Sequence, residues 1–169
     1  DLAKRREEGQ ADVVPRSPLR VADLTDGLRA RLEARGLALY ADDAPLLLRC
    51  DGFEVVALLA RAALGVAALL DVKAFDLTVE EDSTDALLRL SWKGSPLRVA
   101  DLETWLEAGL DEDVPGVTGH HVLTSHATDI WPETLADGRH AICLPIRMAR
   151  RTGPRPKPIA RAVVYDFDL

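Results

Sequence analysis

Asparagine is absent from this chain of 169 residues, and cysteine occurs only twice. The two cysteines, Cys50 and Cys143, are too few for a disulfide framework, and their separation is not that of a metal site. A reducing compartment is therefore the expected environment. We expect both thiols to be small buried hydrophobic groups rather than reactive ones.

Positive charge is also in short supply. The net charge is -7 and the isoelectric point is near 5.1, which argues against a general nucleic-acid-binding surface. The basic residues gather near the two ends of the chain, so the middle is more acidic than the total indicates. We expect no direct nucleic-acid binding by the folded part.

No apolar run is long enough to span a bilayer comfortably. The most apolar stretch is Val55 to Leu70, and Arg61 at its centre opposes insertion by roughly 2.5 to 3.5 kcal/mol. A buried core helix is the prediction. The chain has no recognisable signal peptide, begins at Asp1 and stops after a strand-like run, so we expect it to be part of a longer protein.

The composition, 47% hydrophobic and 29% charged residues, is that of one ordinary globular domain. Residues 1–18 are polar and predict a linker or the end of an upstream helix. Residues 19–148 form the predicted domain. Residues 149–169 begin with a basic, proline-rich stretch and predict a semi-rigid linker to a further domain.

Hydrophobic periodicity predicts the elements of the domain. Four helices are expected, over Arg20–Arg35 (capped by Asp23 or Thr25 and ended by Gly36), Glu54–Leu70, Ala100–Leu110 and Gly116–Ile130. Strands are expected at Leu37–Tyr40, in a hairpin from Phe75 to Trp92 with an acidic turn at 81–85, and in a second hairpin that turns at Asp137-Gly138 and ends at Ile146.

The predicted fold is α+β: a two-layer α/β sandwich whose mixed, mostly antiparallel sheet is covered by helices on one face.

This order of elements, from about Leu19 to Arg147, resembles the ATPase domain of histidine kinases within the GHKL group. The segment from Val114 to Ile146 carries the clearest likeness: a glycine turn opens a helix, the helix ends near a His, and a hairpin ends in Leu-Pro. The resemblance implies an ATP-binding fold in a cytoplasmic domain. It also identifies three local motifs that hold nucleotide in such domains.

The first motif is a helix that presents two Asn one turn apart as ligands for Mg²⁺ and phosphate, since Mg²⁺ prefers oxygen ligands. Asp51 opens the corresponding helix, and the two Asn positions fall on Arg61 and Gly65. Glycine offers no ligand and arginine is itself a cation. Because the chain has no Asn, no other alignment restores the pair. Arg61 either binds an anionic ligand, or it reaches out of the helix or pairs with an acidic neighbour.

The second motif is an Asp-x-Gly-x-Gly turn, in which the Asp accepts a hydrogen bond from adenine. Gly94 is retained here, but Trp92 replaces the Asp and Pro96 replaces the second Gly. An indole only donates and cannot accept that bond. Trp92 either fills the space of the adenine or is a large hydrophobe at a sheet edge.

The third motif is a glycine turn that cradles phosphate at a helix N-terminus. Gly116 and Gly119 keep that turn, and the following helix runs to His126, where the family often has His-Gly-Gly. The relic nucleotide pocket that the resemblance implies therefore consists of Arg61, Gly65, Trp92, Gly94, Gly116 and Gly119. Asp111-Glu112-Asp113, at the position of the family's lid, would repel phosphates.

Histidine supplies neither a phosphate acceptor nor a predicted metal site. All four His lie in the C-terminal part, so no dimerisation helix with a phospho-accepting His is present. His120 and His126 are not one turn apart, and no Cys joins them, so helix-surface histidines are expected and no metal.

A narrower resemblance concerns the end of the chain. Tyr165 to Leu169, after the proline-rich linker, is similar to the junction at which bacterial proteins join a kinase-like segment to a 3′–5′ exonuclease of the DNA polymerase III epsilon type. It implies an exonuclease domain downstream in the same chain and membrane tethering of the parent protein. If upstream helices pair, two copies of the domain would sit side by side in a homodimer.

The sequence therefore predicts a non-catalytic regulatory or scaffolding module with no cofactor, in which binding of ATP and Mg²⁺ is lost. Two alternatives remain open. One is a sensor of a nucleotide or small anion that uses Arg61 and the Gly116–Gly119 turn; the other is an ATP-binding kinase domain with atypical motifs.

Overall fold

The computed structural model describes residues 17–110 and 116–149. The segments 1–16, 111–115 and 150–169 lie outside it, and with them the predicted linkers, the acidic lid residues and the Tyr165–Leu169 junction. The elements within the described residues are β1 (Pro18–Arg20), α1 (Val21–Glu33), β2 (Ala38–Ala41), β3 (Leu47–Arg49), α2 (Gly52–Leu70), β4 (Ala74–Asp82), β5 (Asp85–Trp92), α3 (Val99–Glu107), α4 (Gly119–Ser125), β6 (Trp131–Thr134) and β7 (His140–Arg147).

Five of the strands form one mixed sheet in the order β2-β4-β5-β7-β6. Only β2 and β4 run parallel, and the chain between them includes α2, the long crossover that a parallel pair requires. The other neighbours pair antiparallel. A separate two-stranded sheet joins β1 to β3, and this pairing includes Pro18, which the sequence placed in the linker.

One face of the sheet packs on the helices. Along the central strand β5, Ala86, Leu88, Leu90 and Trp92 are fully buried and belong to one apolar cluster with the buried sides of the four helices. Alternate residues point to the opposite face, where Arg89 forms an ion pair with Glu80 at 2.6 Å. The predicted two-layer α+β sandwich is confirmed.

The acidic stretch of the first hairpin is mostly strand. Glu80 to Asp82 belong to β4 and Asp85 opens β5, so Ser83 and Thr84 alone form the turn. Glu80, Glu81 and Asp82 are exposed, and Glu80 forms an ion pair with Arg89.

Helix α2 is the central helix of the core. Asp51 caps its N-terminus by accepting a hydrogen bond from the Glu54 amide at 3.1 Å, as the sequence indicated. Of its 19 residues, ten are buried. In the described part of the chain, α2 alone is long and apolar enough to cross a membrane, a test that a buried core helix also passes. The structure uses it as a core helix.

The predicted caps of α1 are wrong. Arg20 occupies the N-cap position without a side-chain cap, and Asp23 lies in the first turn, where Arg20 binds its carboxylate at 3.0 Å. Thr25 is buried inside the helix, and its hydroxyl has no hydrogen-bond partner among the described residues. Gly36 does follow the helix end, with a φ of 77° that suits glycine.

The last helix is much shorter than the predicted Gly116–Ile130. Helix α4 spans seven residues. It starts after Thr118, whose side chain caps the helix by accepting a hydrogen bond from the His121 amide at 3.1 Å. It ends before Ala127, which has a left-handed φ of 51°. This is the position at which the kinase-like pattern has the first glycine after His. Ala127 therefore adopts a left-handed backbone conformation that glycine usually occupies.

We expect Ala127→Gly to raise the free energy of unfolding by about 0.5–1 kcal/mol, because a left-handed Cβ costs about 1–2 kcal/mol and the added flexibility of glycine offsets part of that. Urea unfolding followed by circular dichroism measures the change. Ala30→Gly, at an exposed position inside α1, is the matched control and should lose about 1 kcal/mol. A loss at both positions would contradict the assigned strain at Ala127.

Candidate functional site

Helix α2 places Arg61 and Gly65 on one face, one turn apart, as the resemblance requires of the two Asn positions. Gly65 is buried in the middle of the helix, where glycine costs about 1 kcal/mol relative to alanine. A glycine tolerated at that cost usually marks a close approach by another group.

The group that approaches is the indole of Trp105, from α3. A Cβ at position 65 would lie 2.5 Å from two atoms of this ring, so no residue with a side chain fits there without displacing it. The guanidinium of Arg61 lies over the same ring, 5.6 Å from its centroid, as in a cation–π contact. Trp105 therefore covers both positions of the first motif.

An open groove of about 370 Å³ remains beside this contact. It is lined by Arg61, Leu64, Gly65, Ala68, Leu69, Asp101 and Trp105. Asp101 is engaged by Arg98 at 3.2 Å. Within the described residues Arg61 forms no ion pair, so the predicted pairing with an acidic neighbour is wrong. Its side chain is half-buried and lies over the Trp105 ring.

The glycine turn before α4 is held to α3 by packing. A Cβ on Gly119 would lie 2.6 Å from a methyl group of Leu106 and 2.9 Å from its Cα. The Leu110 amide donates to the Val117 carbonyl at 2.9 Å, which ties the end of α3 to the turn. Gly119 is thus required by the contact with α3. Gly116, with a φ of 78° and open space around it, is a turn glycine.

Trp92 lies inside the core at the end of β5, the central strand, so the sheet-edge interpretation is wrong. Its ring meets Phe75 edge-on at 6.3 Å between centroids and stands 6.4 Å from His140. The indole N–H donates to the Ser95 carbonyl at 2.9 Å, across the turn that contains Gly94. Trp92 and Gly94 do not line the groove at Arg61.

The six residues of the predicted pocket lie in three places in the structure. Arg61 and Gly65 share the groove, Trp92 and Gly94 close a turn at the end of β5, and Gly116 and Gly119 begin α4. Trp105, which contacts the first pair, was missed by the sequence analysis. The available signal was Gly65 itself, a glycine within an otherwise Ala- and Leu-rich helix.

His126 is a structural residue rather than a helix-surface one. Its Nε2 accepts a hydrogen bond from the Asp51 amide at 3.0 Å, and its Nδ1 lies 2.8 Å from the Val122 carbonyl. A carbonyl accepts only, so Nδ1 carries the proton and the ring is the neutral tautomer. The bond joins the end of α4 to the start of α2. His120 and His121 are exposed, as expected.

Both cysteines are buried, as expected. Burial, together with a hydrogen bond to Glu133, raises the pKa of the Cys143 thiol to about 12. In turn, the hydrogen bond from Cys143 and a second one from Trp131 hold the pKa of the Glu133 carboxyl below its usual value. A thiol with so high a pKa is not a nucleophile at neutral pH.

Solved structures that superpose on this chain include domains of histidine kinases. The ATP binding domain of PrrB from Mycobacterium tuberculosis superposes with a TM-score of 0.62, at 12% identity over 82% of this chain and 100% of that one. The histidine kinase domain of the E. coli osmosensor EnvZ gives 0.58, at 9% identity over 86% and 98%. The chain has the histidine-kinase ATPase fold. No family model matches the sequence.

One curated relative aligns along almost the whole chain. It is a DNA polymerase III subunit epsilon-like protein of Rhodobacter capsulatus, 45% identical over 173 residues, which include 99% of this chain. The chain spans only about a quarter of that protein (24%). The relative thus contains a further region about three times as long as the aligned one.

We expect Gly119→Ala to lower the free energy of unfolding by about 1–3 kcal/mol, because the added methyl group overlaps Leu106, including its backbone. Gly109→Ala is the matched control: it adds the same methyl group to the chain that links α3 to α4, with nothing within 4 Å, and should change little. Chemical denaturation of both variants checks this. Equal effects would mean that Gly119 is not needed for close packing.

Proposed function

We propose that this domain is a pseudo-ATPase: a module with the histidine-kinase ATPase fold that neither binds Mg²⁺–ATP nor hydrolyses it. The observation that carries the proposal is the packing of Trp105 on Gly65, with Arg61 over the indole. An aromatic ring and a cation take the place where the kinase pattern has two oxygen ligands.

The chemistry of the neighbouring positions supports the same conclusion. Magnesium requires oxygen ligands in a near-octahedral arrangement, and Arg61 and Gly65 offer none. Trp92 cannot accept a hydrogen bond from adenine, and its single donor is already used by Ser95. The close contact with Leu106 accounts for the glycine at position 119 by packing, without a phosphate.

We infer that the domain acts by contact inside a larger bacterial protein, as a regulatory or scaffolding element. The length and name of the Rhodobacter capsulatus relative support a parent protein that carries a 3′–5′ exonuclease of the polymerase III epsilon type. In this proposal the downstream exonuclease is the partner of the domain, and upstream helices form the homodimer. The domain itself lies in the cytoplasm and does not bind nucleic acid directly.

A second candidate function is the sensing of a small anion. Arg61 has no carboxylate partner among the described residues, and it borders a groove of about 370 Å³ that is open to solvent. A guanidinium in such a position can bind phosphate or carboxylate without a metal ion. Dependence on magnesium separates this function from that of a working kinase domain.

Titration calorimetry of ATP and ADP into the 169-residue chain, with and without Mg²⁺, tests the proposal. We expect no saturable heat and no rise in melting temperature at millimolar nucleotide. Magnesium-dependent binding in the micromolar range would overturn it. Binding that is independent of magnesium and lost in Arg61→Ala would instead support the anion sensor.

Restoring one asparagine tests whether Trp105 occupies its place. Gly65→Asn should lower the free energy of unfolding by about 1–3 kcal/mol, because its Cβ overlaps the indole. In a Trp105→Ala background that loss should shrink by at least about 1 kcal/mol, as expected for two residues in contact. Ala68→Asn, at an exposed position on the same groove, is the control and should show no such coupling. Equal losses in both backgrounds would contradict the proposed role of Trp105.

A further inference from the structure

A cluster of three metal-ligating side chains lies outside the groove. Glu103 and Glu107 stand one turn apart on α3, and His120 lies in the first turn of α4. One ligand atom from each lies within 4.8 Å of the other two. The His120 Nε2 is already 3.3 Å from a Glu103 carboxylate oxygen. The sequence predicted no metal because His120 and His126 are not one turn apart and no Cys joins them; the two Glu residues of α3 were not considered.

The backbone positions of the three residues are fixed independently of any ligand. The Gly119–Leu106 contact holds α4 against α3 directly beside His120. The backbone bond from Leu110 to Val117 closes the segment between the helices. Two helices held in this way keep the imidazole beside the two carboxylates, so the metal would not have to order the backbone on binding.

The electrostatics of α3 favour a cation at this point. Glu103 and Glu107 are like charges at positions i and i+4, an arrangement that destabilises a helix. Glu107 is also the last residue of α3, where the helix dipole disfavours a carboxylate, and the last turn contains no basic residue. Among the described residues, Glu107 forms no ion pair. A divalent cation would relieve both effects.

The ligand atoms of these three side chains favour zinc over magnesium. Ligands at about 2.0–2.2 Å from Zn²⁺ stand about 3.3–3.6 Å apart in a tetrahedron. Glu103 and His120 already meet that spacing, and a carboxylate oxygen of the exposed Glu107 lies within 4.8 Å of both ligand atoms. One imidazole and two carboxylates suit Zn²⁺, whereas Mg²⁺ prefers oxygen ligands alone.

We propose that Glu103, Glu107 and His120 form a zinc-binding site that links α3 to α4, with a remaining coordination position open to water. Zinc bound there joins the two ends of the segment that connects these helices. The site is separate from the groove at Arg61, so it does not depend on the proposed loss of ATP binding.

Calorimetric titration of ZnCl₂ into the 169-residue chain, without a histidine tag, tests the site. We expect saturable binding of one equivalent, and no comparable binding of MgCl₂. His120→Gln and Glu107→Gln should each weaken zinc binding by at least about tenfold, since loss of an outer-shell partner alone costs about 10- to 100-fold.

His121→Gln is the matched control, because His121 is the adjacent residue, is also exposed and faces Glu54 instead. Its zinc affinity should equal that of the unmodified chain. Unchanged affinity in His120→Gln, equal binding of magnesium, or the absence of saturable zinc binding would each overturn the proposal. Melting temperatures measured without metal establish that the variants remain folded.

Discussion

The packing of α3 between two glycines determines how the second half of the domain is arranged. Trp105 lies on Gly65 of α2, and the next residue, Leu106, lies on Gly119 of α4. Neither contact tolerates a Cβ on the glycine, so the three helices approach one another only because both side chains are absent. Through these two contacts α3 covers one face of α2, sets the start of α4 and brings His120 to Glu103.

This packing also explains how the fold persists when the residues of the nucleotide motifs differ from those of kinases. The kinase-type frame is built by the sheet and by α2, whose buried residues form one apolar cluster with β4, β5 and β7. The motifs that hold nucleotide in kinases lie at the edges of that frame, in turns and on one helix face. Their residues can change without loss of the core. In this chain the changes are themselves structural, because Trp92 fills core space and Trp105 covers α2.

Sequence patterns predicted much of the fold because the patterns are local. The alternation of Ala86, Leu88 and Leu90 indicated β5, and the apolar run from Val55 to Leu70 indicated a buried α2. The length of α4 was wrong, because its apolar residues continue to Ile130 while the chain leaves the helix at Ala127. Periodicity does not report the left-handed turn that ends the helix. Asp23 and Thr25 were wrong as caps for a related reason: the pairing of β1 with β3 fixes where α1 begins.

The sequence by itself determined which chemical groups are available: no Asn, a cation at position 61, no side chain at position 65, and a donor-only indole at position 92. These facts limit the nucleotide chemistry whatever the fold, because a missing functional group cannot be supplied by packing. The tertiary structure decided what replaces them. Only the contact between α2 and α3 reveals that Trp105 covers the two Asn positions, and only the contact between α3 and α4 brings Glu103, Glu107 and His120 together. Such contacts join residues 13 or more positions apart, and local sequence patterns do not encode the distance between them.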